Sequence, residues 1–290
     1  MQPSANGVRN VLVCGAGAMG SQIGAVFALA GYETTVQDID ESMLDNAQNE
    51  LRSRLDRNVE KARMSAEQVE GAFSKLTFTT DIEEPARSAD LVVEAIVEKL
   101  DVKRELFSRL DSLAPEHAIL ATNSSTIVSS RIADATSRPD RVCNLHFFNP
   151  ALVMECVEMV RNPETSEATA DTAVEITQRI GKAPVVLEKE ISGFIANRIL
   201  GALTDEAVSL YENGYASFED IDTACKKALG HPIGPFALMD LTGIDVNYYV
   251  RMARYEETSD ESQKPKQSVA ERFERGEYGR KSGKGWYEYS

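Results

Sequence analysis

The chain has 290 residues, 27% of them charged, with a formal net charge of −15 at pH 7. So acidic a balance argues against nucleic acid and anionic membrane surfaces as partners, and no apolar run approaches the length of a spanning helix. A chain this long can bury a substantial core and is expected to form two domains.

Residues 1–6 carry neither a signal-type apolar region nor a basic transit pattern, so a cytoplasmic location is expected. A strand predicted over residues 8–14 runs into Gly15-Ala16-Gly17-Ala18-Met19-Gly20, and a helical pattern follows through residue 30. A second strand, residues 33–37, ends on Asp38, at the spacing of a dinucleotide-binding fingerprint. Each part has a physical task. Gly15 permits the tight turn, Gly17 lets the backbone approach a pyrophosphate, and Gly20 lets the helix pack closely on the strand. Backbone N–H groups from Ala18 and Met19 onward open the helix and face the phosphates. Asp38 is placed to accept hydrogen bonds from the adenosine ribose. Its charge would repel a 2′-phosphate, and Ile39 and Asp40 supply no arginine to receive one, which points to NAD rather than NADP.

Further strand patterns fall at 76–79, 91–96, 118–122, 142–148, 153–160 and 184–187, with helical patterns at 43–61, 102–113 and 169–180. Alternation of this kind implies a Rossmann-type, doubly wound, mostly parallel sheet covered on both faces. The strands at 142–148 and 153–160 are joined through Asn149-Pro150, too short a link for a crossover, so they should pair antiparallel. Strand signals then stop. Helices are predicted at 194–212, at 218–229 with Ser217 as N-cap, and from Gly234-Pro235 through Met252. A polar surface loop over 256–267 and a short helix near 269–275 complete the reading. Residues 1–187 are therefore expected to form an α/β nucleotide domain and 188–290 a smaller all-α domain for substrate binding and dimerisation, making a homodimer.

Cys14, Cys143, Cys156 and Cys225 are scattered, with no C-x-x-C pair, so neither a metal site nor a redox motif is expected. A nicotinamide enzyme acting on an alcohol needs a proton acceptor beside the substrate. The histidines are His117, His146 and His231. His117 is most simply a loop residue and His231 a turn residue, whereas His146 ends a sheet strand, where ligands of open α/β sheets bind. Position alone leaves His146 evenly balanced between catalyst and satisfied core residue. Between residues 51 and 63, Arg52, Arg54, Arg57, Lys61 and Arg63 outnumber Asp56 and Glu60. Arg54, Arg57 and Lys61 share a helical face suited to phosphates, although such runs are more often solvated surfaces with internal ion pairs.

Seven segments together resemble the short-chain 3-hydroxyacyl-CoA dehydrogenases, including 3-hydroxybutyryl-CoA dehydrogenases, across essentially the whole chain. They are Gly15–Gly20, Val93-Glu94-Ala95-Ile96-Val97-Glu98, Asn123-Ser124-Ser125-Thr126, His146-Phe147-Phe148-Asn149-Pro150, Gly193-Phe194-Ile195-Ala196-Asn197-Arg198, His231-Pro232-Ile233-Gly234-Pro235 and the closing Gly279–Tyr287. The resemblance implies NAD-dependent oxidation of a (3S)-3-hydroxyacyl-CoA, short-chain and tied to fatty-acid β-oxidation. It implies His146 as proton shuttle, Glu158 as its carboxylate partner, and Ser125 and Asn197 as hydrogen-bonding groups for the reacting oxygen or thioester carbonyl. Glu98, Lys103, Asn149 and Lys281 are implied as cofactor contacts, and Lys61, with Arg54 less securely matched, as CoA contacts. Without the resemblance, Glu98 and Lys103 read as a surface pair, Glu158 as a solvent-facing strand carboxylate, and Ser125 and Asn197 as caps or surface groups.

The chain departs from the family pattern at four places. Glu155 stands for a lysine, Ser192 for a proline, Asn144 for a glycine and Ser124 for a threonine. None removes a proposed catalytic group. Two alternatives remain open at this stage: a sibling dehydrogenase acting on a hydroxy acid without CoA, and a catalytically silent relative.

Overall fold

A computed structural model of the chain describes residues 7–289. Among them the chain divides into two compact units, one ending at Phe194 and the other beginning at Ile195.

The first unit is built on one sheet of β1 (Asn10–Cys14), β2 (Glu33–Gln37), β3 (Leu76–Thr79), β4 (Leu91–Glu94), β5 (Ile119–Thr122), β6 (Val142–Phe147), β7 (Cys156–Arg161) and β8 (Ala183–Leu187). The strand order is β3-β2-β1-β4-β5-β6-β7-β8. Every pairing is parallel except β6 with β7. The order reverses between β1 and β4, which makes the crevice beyond their carboxyl ends the natural ligand site.

Strand alternation sorts the side chains into two layers. Val11, Val13, Leu145 and Phe147 join one buried cluster, which α1 (Ala18–Leu29) and α2 (Glu41–Glu60) enter through Ile23, Phe27, Leu44 and Leu51. α3 (Ala66–Phe73) contributes Ala72 to the same face. Leu12, Cys14, Val92 and Val142 face the other way, against Ala86 of α4 (Glu83–Ser88), Phe107 and Leu110 of α5 (Leu100–Leu113) and Ile132 of α6 (Ser130–Ala133). α7 (Glu167–Arg179) covers the first face again through Ala173 and Ile176.

β4 is shorter than the pattern suggests, ending at Glu94, and β7 starts at Cys156 rather than 153. Met154 and Val153 instead donate their backbone N–H groups to the Pro150 carbonyl, closing a turn. α3 escaped the sequence reading although Ser65 and Gln68 form a complete capping box. The sheet ends at Leu187, but the following segment stays with the first unit. Glu190 accepts hydrogen bonds from the Ser130 N–H at 2.8 Å and the Ser129 hydroxyl at 3.1 Å, and Phe194 is buried with Val160 and Leu187.

The second unit comprises α8 (Ala196–Glu212), α9 (Phe218–Ala228), α10 (Pro235–Thr242), α11 (Ile244–Thr258) and α12 (Gln267–Glu274). The single helix expected through Met252 is two, because Gly243 takes φ +107°, outside helical space. The expected polar loop after it is shortened, since α11 reaches Thr258 and α12 starts at Gln267. Two buried carboxylates fasten this unit. Asp222 accepts the Phe236 and Ala237 N–H groups at 2.8 and 3.0 Å, which caps α10, and Asp240 accepts those of Trp286 and Tyr287 at 2.8 Å each. Among the described residues no helix is long and apolar enough to cross a membrane.

Candidate active site

The glycine-rich turn leaves the carboxyl end of β1 at the sheet's switch point. A Cβ on Gly15 would lie 2.5 Å from the Ala95 carbonyl oxygen, and one on Gly20 1.9 Å from that of Gly15, so neither position admits a side chain. Gly17 has nothing within 4 Å of where its Cβ would be. The same residue opens α1 without a side-chain cap, and no acidic residue occupies the first turn. The result is an uncapped helix terminus, open in front and positive in potential, which fits a pyrophosphate. Asp38 is half-buried beside it, accepting the Ala16 N–H at 2.7 Å and the Asp40 N–H at 3.1 Å. Each carboxylate oxygen retains a lone pair for a ribose hydroxyl.

His146 and Glu158 are cross-strand neighbours in the β6–β7 register. His146 Nδ1 lies 3.0 Å from Glu158 Oε2, and the two residues are only 6% and 1% exposed. A carboxylate can only accept, so Nδ1 carries the proton and Nε2 presents its lone pair. Among the described residues nothing hydrogen-bonds Nε2. The rings of Phe148 and Phe194 lie 4.5 and 5.5 Å from the imidazole and fix its plane. Glu158 is thus not a solvent-facing carboxylate. His117 bonds Asp90 at 2.8 Å near the amino ends of the strands, and His231 belongs to the second unit.

The loop after β5 carries Ser125. Its neighbours are engaged: the Ser124 and Thr126 hydroxyls donate to Glu98, and the Ser129 hydroxyl donates to Glu190. The half-buried Ser125 hydroxyl has no such bond among the described residues. Ser124 fills the place of the family's threonine with its hydroxyl function intact. Asn144, replacing a glycine, is fully buried and bonds the loop at three points.

Glu98 and Lys103 are not a surface pair. Lys103 is 1% exposed, and its Nζ lies 2.5 Å from Glu94 and 3.1 Å from Glu98. Burial alone would push the Glu98 carboxyl up, but the Lys103 ammonium and the Ser124 and Thr126 hydroxyls outweigh it and hold it below the usual carboxylate range. Glu94 lies within one of the family segments, without a role assigned to it there. It is fully buried and also accepts from Thr122 Oγ1 at 2.7 Å and the Ile96 N–H at 2.8 Å. An acid closing the buried run Leu91-Val92-Val93 was the available signal. Asn149 is exposed in the turn after β6.

On α2, Arg52 is tied to Asp56 and Glu70. Arg54 hydrogen-bonds Gln22 of α1 at 3.0 Å, a neutral partner that leaves its charge uncompensated. Arg57 and Lys61 are exposed and make no ion pair among the described residues. The internally paired surface expected of such runs is therefore found only at Arg52. Glu155 is exposed and near Lys182, whose ammonium is pushed down by burial and partly restored by that carboxylate. The structure gives no account of Ser192.

Asn197 and Lys281 belong to the second unit. Asn197 lies in the first turn of α8, and Lys281 Nζ is 2.5 Å from Asp245 Oδ2. Burial pushes the Cys143 thiol up to about 12 and that of Cys14 up as well, which keeps both inert. Among the described residues no cluster of potential metal ligands occurs.

Comparison with known proteins identifies the family. Residues 10–191 match the family model described as 3-hydroxyacyl-CoA dehydrogenase, NAD binding domain, and residues 193–289 match that family's C-terminal domain. The mitochondrial hydroxyacyl-coenzyme A dehydrogenase of Homo sapiens is 40% identical, over 97% of this chain and 91% of its own length. The solved (S)-3-hydroxybutyryl-CoA dehydrogenase of Ralstonia eutropha superposes with a TM-score of 0.90 at 34% identity, covering 98% of this chain and 99% of the other. A solved diketoreductase, described as acting on dicarbonyl compounds, superposes with a TM-score of 0.88 at 31% identity over 98% and 99% of the two chains. With both of its halves matched in order, the chain belongs to the 3-hydroxyacyl-CoA dehydrogenase family, and its first unit is that family's NAD-binding domain.

Proposed function

We propose that the protein catalyses the reversible, NAD-dependent oxidation of short-chain (3S)-3-hydroxyacyl-CoA to 3-oxoacyl-CoA, with 3-hydroxybutyryl-CoA as the type substrate. The observation that carries this reading is the buried His146–Glu158 pair with Nε2 left free. His146 Nε2 takes the proton of the C3 hydroxyl as the carbonyl forms. Glu158 fixes the tautomer and stabilises the imidazolium that results. Bound NAD supplies the hydride acceptor for C3. Gly15, Gly17, Gly20 and the N–H groups of Ala18 and Met19 cradle its pyrophosphate, and Asp38 holds its ribose. The Ser125 hydroxyl, unengaged by the protein, donates to the reacting oxygen or the thioester carbonyl. Asn197 adds a second donor, and Glu98, Lys103, Asn149 and Lys281 complete the cofactor contacts.

Arg54, Arg57 and Lys61 favour a CoA thioester, because unpaired cations on one helix face suit its phosphates. The diketoreductase likeness favours a second reading, a dicarbonyl substrate without CoA. Exposed apolar side chains of the second unit, Ile199, Leu229 and Tyr249 among them, support a homodimer.

Oxidation of NADH followed with acetoacetyl-CoA, free acetoacetate and a simple diketone separates these readings. Turnover is expected with acetoacetyl-CoA and NADH, and far less with either free ketone or with NADPH. Equal turnover of a free ketone would favour the second reading, and no turnover of any substrate would mark a silent relative.

A further inference from the structure

We infer that Asn144 is a positioning residue that sets the Ser125 loop against His146, an inference that rests on the roles proposed above for those two side chains. Asn144 and His146 stand two apart on β6, so both project from one face of the sheet, the face opposite Leu145 and Phe147. The Asn144 side chain is fully buried, and the three hydrogen bonds it makes all run to one loop. Its Oδ1 accepts the Ser129 N–H at 2.8 Å, and its Nδ2 donates to the Ser124 carbonyl at 3.2 Å and the Ile127 carbonyl at 3.1 Å. These two carbonyls flank Ser125 in sequence.

The amide therefore spans the loop from both sides of the Ser125 hydroxyl, which makes no hydrogen bond among the described residues. It transmits the rigidity of a central strand to that hydroxyl. Asn123 adds a parallel tie, its Oδ1 accepting the Phe147 N–H at 2.8 Å, one residue beyond His146. With both ties made, the separation of Ser125 from His146 is fixed by the backbone of β6. A buried amide that did nothing but fill space would leave these polar groups unmatched, so its hydrogen-bonding pattern, more than its volume, is what the site uses.

A double-mutant cycle tests this. Asn144→Ala should lower kcat for acetoacetyl-CoA reduction by roughly tenfold to a hundredfold, as expected for a misplaced reacting partner. The KM values for NADH and acetoacetyl-CoA should stay within about twofold. In a Ser125→Ala background the same substitution should cost no further activity, because its route of action is gone. Hydrogen exchange of the Ser129 amide should accelerate. Asn144→Asp keeps the volume and the acceptor for Ser129 but turns a carboxylate on two carbonyls. It should show the same kcat loss and serves if the alanine variant does not fold. Full additivity of the Asn144 and Ser125 substitutions, or a rise in KM with kcat unchanged, overturns the inference. A Ser125→Ala enzyme with undiminished kcat instead overturns the proposed role of Ser125.

Discussion

The loop after β5 and the basic face of α2 lie in the same unit and hold their polar side chains in opposite ways. The loop is held on several sides, by the buried Asn144, the half-buried Glu190 and the more exposed Glu98, and among the described residues only its Ser125 hydroxyl is spare. The helix face is open, and Arg57 and Lys61 are exposed with no ion pair among the described residues. Reacting atoms need sub-ångström placement, which buried, fully paired polar groups provide. Phosphates on a flexible carrier need only charge within reach, and mobile cations suffice.

The comparison is most severely tested at the imidazole. His146→Ala should reduce kcat by roughly 100- to 10,000-fold while NADH still binds, as measured by fluorescence titration beside steady-state rates. Retained turnover would remove the buried side of the contrast. Next comes Lys103→Met, which leaves Glu94 and Glu98 facing each other without a cation. Breaking such a buried pair should cost about 3–5 kcal/mol in urea unfolding at pH 7. A loss no larger than a surface pair's would mean the clamp is not rigid. On the open side, Lys61→Glu should raise the KM for acetoacetyl-CoA roughly threefold to tenfold at low salt, the difference fading at high salt, with the melting temperature unchanged. An unchanged KM would favour a substrate without CoA.

The smallest effect concerns Asp90, far from both regions. Burial pushes its carboxyl up, but the Asn10 N–H, the His117 ring and the Arg9 N–H outweigh this and leave it below the usual carboxylate range. Its contribution to stability is therefore complete above the unfolded-state pKa and lost as pH falls through the lower, folded value. Acid titration of unfolding should be shallower in Asp90→Asn, with equal acid sensitivity in the two proteins counting against the bond network.

Much of this was legible in the sequence, for physical reasons that differ by element. The glycine turn and Asp38 were readable because backbone approach and ribose binding leave few residue choices. The antiparallel β6–β7 pair was readable because the link through Asn149-Pro150 is too short for a crossover. The basic face of α2 could be read because surface charge requires nothing but spacing. The clamp could not. Lys103 reaches Glu94 across the one connection from β4 to α5, whereas Asn144 and Glu190 reach the loop after β5 only through the sheet's long-range order, and each looks ordinary in its own segment. Lys103, singled out only through the family resemblance, is the fourth residue of α5, where spacing alone reads as surface. The helix break at Gly243 had a local cue, a glycine, that the apolar pattern on either side concealed.

The β6–β7 register carries a consequence for how this scaffold can vary. The imidazole and its carboxylate are matched by main-chain ladder bonds, so their alignment comes in whole-residue steps. A slip of one residue would set Val157 or Met159 across from the ring and send both polar partners to opposite faces of the sheet. Residues 148–155, which connect the two strands, take no part in that ladder. Beyond Phe148 and Asn149, this connection can therefore lengthen, shorten or change charge, as at Glu155, while the His146–Glu158 pair stays in step.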